Sequence, residues 1–142
     1  MLTRFPSTST LKTRWPIAVQ SINWTDDDPL FSTYRAYLGN IPQAQRILTY
    51  NLPLPAGVTQ VNLKLYYAER FWTTTGQRVF NVDVEGKRVS TNFDLYQFAP
   101  NANDALIVPV YHVAVADGSL TITFTPSVDY AAINAIEVTA DP

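Results

Sequence analysis

From residue 47 onward apolar and polar residues alternate in short runs. Gln60-Val61-Asn62-Leu63-Lys64-Leu65-Tyr66-Tyr67-Ala68 has the period of two expected of a strand with one buried face, which directs Val61, Leu63 and Leu65 to a core. Ile47 to Leu52 precedes it, stopped by Pro53 and followed by a Pro55-Ala56-Gly57 turn. Arg78 to Val84 and Arg88 to Ser90 flank Glu85-Gly86-Lys87, a short loop with glycine available for positive φ, and read as a hairpin. Leu106 to Val115 runs through the turn Ala116-Asp117-Gly118-Ser119 into Leu120 to Thr125, and Ala132 to Val138 is the last strand. A weaker alternation at Ile17 to Ile22 predicts a first one.

No stretch of helical length carries apolar residues three and four apart, and no internal repeat is present. Short strands punctuated by turns therefore predict an all-β, jelly-roll-like β-sandwich. Residues 1–14 contain Arg4, Lys12 and Arg14, with no acid and no periodicity. They read as an extended N-terminal arm ahead of one domain over residues 15–142. The segments Asn23 to Ala44, Arg70 to Gln77 and Thr91 to Ala105 exceed hairpin length and are where binding residues should lie.

Composition narrows the chemistry. The chain has 142 residues, 46% hydrophobic and 15% charged, against about 25% charged in an average domain. Its surface must rely on neutral polar groups. A net charge of -2 offers no basic field for nucleic acid or anionic membrane. Without cysteine, and with a single histidine, disulfides, thiolate metal sites and a cysteine nucleophile are excluded, and histidine-clustered zinc with them. No cofactor and no enzymatic activity are expected. No apolar run has the length of a membrane span, so membrane insertion is not expected, and the opening residues lack a signal segment. Either the chain is cut from a longer parent, or the extracellular or virion-surface location expected for it is reached by a route other than a standard signal peptide.

Aromatic residues make up 13% of the chain and crowd the connections: Trp24, Phe31, Tyr34, Tyr37, Phe71, Trp72, Phe93, Tyr96, Phe98 and Tyr130. They either fill the space beneath the loops or offer stacking faces to sugar rings, with neighbouring polar groups binding hydroxyls. Three other features carry weaker signals. Asp26-Asp27-Asp28 could supply oxygen to calcium but lacks the alternating spacing of a calcium loop. His112, inside a strand, reads as a hydrogen-bonded structural residue. Glu69 and Asp94 would make a glycosidase pair only if the fold brought them together.

Tyr67-Ala68-Glu69-Arg70-Phe71-Trp72, Gly76 to Val82, Gly86, Asn92-Phe93-Asp94, Asp117 to Ile122 and Ala135-Ile136-Glu137-Val138 together resemble a malectin domain, in order and spacing, over about Leu52 to Val138. The resemblance implies a jelly-roll-like sandwich that binds glucose-containing oligosaccharides in a loop pocket of aromatics and an aspartate, without catalysis or an obligatory metal. Carried over by position, the aromatic pair falls on Phe71 and Trp72 and the aspartate on Asp129. A pocket tyrosine falls on Tyr37 when the stretch is aligned through Gly39, or on Ala36 in another register. Tyr130 beside Asp129 would help to close the pocket.

Two functions follow. The first is a carbohydrate-binding module whose partner is a glycan. The alternative is a structural or assembly subunit, such as a virion decoration or tail component or an appendage subunit. It would meet copies of itself or a larger particle through the N-terminal arm.

Overall fold

The computed structural model of the protein describes residues 36, 40–101 and 104–142, together with the backbone of 2–6. The strand predicted at Ile17 to Ile22, the Asp26 to Asp28 run and Tyr37 lie outside these residues. The strands are β1 (Leu2–Pro6), β2 (Leu48–Pro53), β3 (Gln60–Ala68), β4 (Val79–Val84), β5 (Lys87–Asp94), β6 (Ala105–Ala114), β7 (Ser119–Val128) and β8 (Ala135–Ala140). A single helical turn, α1 (Leu95–Phe98), joins β5 to β6, and a 3-10 turn covers Gln43–Gln45. Among the described residues the strands form two four-stranded sheets, ordered β1-β8-β3-β6 and β2-β7-β4-β5, with every pairing antiparallel. This is the predicted all-β sandwich.

Alternation decides which face each strand buries. In β3, Val61, Leu63, Leu65 and Tyr67 are buried in the core, as are Phe80, Val82 and Val84 of β4 and Leu120, Ile122 and Phe124 of β7. The threonines between the β7 core positions turn outward to half-exposed sites. Burying a side chain as large as Phe80 or Phe124 stabilises the fold by about 1.5–3 kcal/mol. Phe80 packs against Tyr67, Phe93 and Phe124 with ring centroids 5.4 to 6.2 Å apart. Phe93 is thus a core residue. Tyr66, Ala68 and Ala135 form a second, smaller apolar cluster, and the Tyr66 hydroxyl donates to Glu137 Oε2 at 2.6 Å.

The β4–β5 turn forms the predicted hairpin, with Gly86 at the positive φ expected of it, 70°, and Glu85 sharing that conformation at 50°, the pairing that matches the twist of a two-residue hairpin. The second strand of this hairpin is longer than the alternation indicated, reaching Asp94 rather than Ser90. Thr91 and Asn92 stay exposed and Asn92 has φ 46°; this irregular edge breaks the sequence pattern, while Phe93 and Asp94 beyond it return to the interior.

The strand orders place three connections side by side at one end of the sandwich among the described residues. Residues 129–134 join β7 to β8, residues 69–78 join β3 to β4, and α1 with the residues after it joins β5 to β6. The middle crossover therefore has one neighbour on each flank.

Candidate functional site

Glu69, the first residue after β3, organises the middle crossover. Its Oε1 accepts the backbone N–H groups of Phe71 and Trp72, each at 3.0 Å, and its Oε2 accepts Arg78 Nε at 2.7 Å. Both ionic side chains are almost wholly buried. Such a pair is stable only because each charge is matched by hydrogen bonds as well as by its partner. The carboxylate thereby forces the chain to turn at Phe71-Trp72, and the Ala68 amide is held by Asn134 Oδ1 at 2.8 Å.

Arg78 extends the network to the next crossover. Its Nη1 donates to the Tyr130 carbonyl at 2.7 Å and lies 3.5 Å from Asp129 Oδ2. The same Oδ2 accepts the Trp72 indole N–H at 2.8 Å. Asp129 has φ 58°, a left-handed conformation that aspartate adopts more readily than most residues. Its carbonyl takes Gln43 Nε2 at 3.1 Å and Arg46 Nη1 at 3.3 Å, and Gln43 Nε2 also reaches the Pro126 carbonyl. The Arg46 guanidinium sits 4.3 Å from the Tyr130 ring centroid, a cation–π contact. The 3-10 turn and Arg46 just after it thus brace Asp129 through its carbonyl.

Phe71, Trp72, Asp129 and Tyr130 are therefore brought together at one loop end; Tyr37 lies outside the described residues. Trp72 is half-buried and fixed by its N–H. Phe71 is 54% exposed and meets the Trp72 ring edge-on, centroids 4.7 Å apart at 90°. Both residues lie in the crossover, three and four positions past the end of β3, where the Glu69 turn anchors one ring and presents the other. Asp129 Oδ1 takes no hydrogen bond from the described residues, and the side chain keeps 20% exposure. The result is a partly exposed aromatic ring beside a carboxylate oxygen, suited to stacking and to accepting hydroxyl hydrogen bonds.

The sequence reading missed Arg78, Gln43 and Arg46 as supports. Arg78 stood inside a quoted motif but looked like a strand residue. Gln43 and Arg46 gave no local signal, because their partners lie more than 80 residues away.

Glu69 and Asp94 do not form an exposed pair. Glu69 is occupied by Arg78 and two amides, while Asp94 is buried and accepts the Gly76 N–H at 2.6 Å through Oδ2. Its Oδ1 is buried without a hydrogen bond. His112 lies on the edge strand β6, exposed, with Nδ1 2.6 Å from Asp141 Oδ2, and takes no part in the site. Among the described residues no cluster of three metal-ligating side chains occurs.

The sequence pattern that defines the malectin domain matches residues 8–139. The receptor-like protein kinase FERONIA of Arabidopsis thaliana is 33% identical over 98 residues, 66% of this chain and 11% of the relative. The extracellular domain of ANXUR1 from the same plant superposes with a TM-score of 0.75 at 16% identity, covering 95% of this chain and 39% of the other. A β-glucuronidase of Bacteroides uniformis superposes with a TM-score of 0.67 at 18% identity, over 85% of this chain and 13% of the enzyme. The chain therefore spans only a small part of these proteins, and at such low identity the two structures speak for the fold. With the family pattern running through nearly its whole length, the chain belongs to the malectin domain family, whose members are non-catalytic modules of the carbohydrate-binding type.

Proposed function

We propose that this protein is a non-catalytic module that recognises glucose-containing or related glycans at the loop end of its sandwich. The observation that carries the reading is the Phe71 ring, exposed beside a Trp72 locked onto Asp129. Phe71 stacks on the apolar face of a pyranose, Asp129 Oδ1 accepts a sugar hydroxyl, and Tyr130 beside it flanks the ligand; Tyr37 is a candidate from the family resemblance alone. Hydroxyls exchange water for protein partners with small net gain, so the stacking face contributes much of the affinity.

A glycan array probed with the purified chain tests this. Phe71→Ala, at an exposed position, is expected to lose glycan retention while its thermal midpoint stays within a few degrees. Unchanged retention in this variant would overturn the site assignment.

A second reading, an assembly subunit, draws on β1. That strand lies at the edge of its sheet, paired only to β8 among the described residues, a position from which a strand can be donated to a neighbouring copy. Light scattering on the full chain and on a form lacking residues 1–13 tests it: a full-chain oligomer that truncation reduces to monomer is expected, and a monomer in both cases sinks it.

A further inference from the structure

The candidate site occupies the middle crossover and the flank that carries Asp129. The opposite flank carries a second exposed aromatic ring. Phe98, at the end of α1, is 59% exposed, and its ring lies flat against Phe93, centroids 5.3 Å apart with the planes within 17°. One face of Phe98 is thus spent on the core and the other is open. Phe93 is itself held by Tyr67 at 5.3 Å and Phe80 at 5.4 Å. The turn is equally fixed. Leu95 and Ala99 on either side are buried, and the Ala99 N–H closes onto the Leu95 carbonyl at 3.1 Å. A single exposed phenylalanine needs no explanation. A ring backed by an aromatic pile and presented by a pinned turn is a preorganised stacking surface, which loses little freedom when a ligand arrives.

Topology puts this surface in line with the site. Strands β8, β3 and β6 are neighbours in one sheet and β7, β4 and β5 in the other. The crossovers that bear Asp129, Phe71 and Phe98 therefore spring from strands that follow one another across the sheets, at a spacing of about 5 Å. That spacing is comparable with the advance per residue of a pyranose chain. Hydrogen bonds lock the middle crossover to both flanks, Trp72 to Asp129 on one side and Gly76 to Asp94, four residues before Phe98, on the other.

We infer that Phe98 is a second stacking platform, and that the site takes a glycan chain longer than a disaccharide, lying across the strands from Asp129 toward Phe98. The inference rests on the carbohydrate-binding reading and extends it. The terminal unit sits at Phe71 and Asp129, and a later unit of the same chain covers Phe98.

Calorimetric titration with two series, maltose to maltohexaose and cellobiose to cellohexaose, tests the idea on the full chain and on Phe98→Ala and Phe98→Tyr. In one series the unaltered protein is expected to bind the longest member about threefold to tenfold more tightly than the disaccharide, the range of one aromatic stacking contact. Phe98→Ala should abolish that gain and leave disaccharide affinity unchanged, and Phe98→Tyr should restore it. If affinity does not rise with length, or Phe98→Ala keeps the gain, or it weakens the disaccharide equally, the second platform is refuted. Disaccharide binding that Phe71→Ala removes would still support the first site. Should no member of either series bind, both readings fail.

Discussion

The two ends of the sandwich are built by different physical means. At one end, residues 54–59, 85–86 and 115–118 turn the chain mainly with its own backbone: Leu54 N–H bonds the Gly118 carbonyl at 2.8 Å, Val58 N–H the Pro55 carbonyl at 3.1 Å, and Val115 N–H the Thr59 carbonyl at 2.9 Å. At the other end, the crossovers are held by side chains that reach between them, with Glu69, Arg78, Asn134, Asp94 and Gln43 supplying the bonds that backbone groups supply at the first end. A backbone-closed turn is cheap and anonymous. A crossover closed by side chains can pose Phe71 outward and fix Trp72, at the cost of burying charges that must remain paired.

The sharpest way to break this contrast is Glu69→Ala. The substitution leaves Arg78 buried without its carboxylate and orphans two amides, and a loss of about 3–5 kcal/mol is expected. Urea denaturation measures it. Glu69→Gln, which keeps an acceptor for the amides, should lose less, and glycan retention should fall in both before the fold does. A loss below about 1 kcal/mol for Glu69→Ala would mean that the crossover does not depend on the network.

Asn134→Ala comes next. It removes the acceptor of the buried Ala68 N–H and should cost about 1–3 kcal/mol, the penalty of an unsatisfied buried donor. Amide exchange should then quicken at Ala68 and leave the far-end turns untouched. Equal acceleration at both ends would show that the two are not separately built.

The contrast also accounts for what the sequence disclosed. The backbone-closed end was legible because its devices are local: the strand alternation of Val61, Leu63 and Leu65, and the glycine of Glu85-Gly86. Phe71 and Trp72 stood out among the loop aromatics, but the family resemblance was needed to single them out with Asp129, and the structure does bring the three together. Nothing in Pro42-Gln43-Ala44-Gln45-Arg46 indicates that Gln43 and Arg46 brace Asp129, since pairing over such a separation exists only once the sheets have stacked. The choice of Arg78 over the adjacent Arg70 as the partner of Glu69 Oε2 was equally hidden. Alternation sends a strand residue to one face or the other and says nothing of a side chain one position before the strand begins. The length of β5 was missed because its exposed, bulged middle reads as loop.

Tyr67 tests the core beneath the site end. Burial pushes its phenol well above the usual tyrosine value, because the ionised form would lie in an apolar interior. The folded state therefore holds the proton more tightly than the unfolded chain. The contribution is fully present below the unfolded value of about 10 and declines above it, by about 1.4 kcal/mol per pH unit. Denaturation midpoints measured from pH 8 to 11 should show this decline, and Tyr67→Phe should reduce it. An unchanged slope would place the alkaline sensitivity elsewhere.

The smallest effect belongs to the opposite end. At Gly86 an added Cβ would meet no atom within 4 Å, yet φ is +70°, so Gly86→Ala pays only for the left-handed backbone, about 1 kcal/mol. Gly86→Asn should pay less, because asparagine adopts that conformation more readily. Neither variant touches the crossovers, so both should keep the glycan retention of the unaltered chain while their denaturation midpoints fall in the order Gly, Asn, Ala. This pair is informative because the expected stability loss is accompanied by no loss of binding. If Gly86→Ala weakened retention as Phe71→Ala is expected to, strain at the hairpin would be travelling along β4 into the Arg78 network, and the two ends would have to be treated as one mechanical unit.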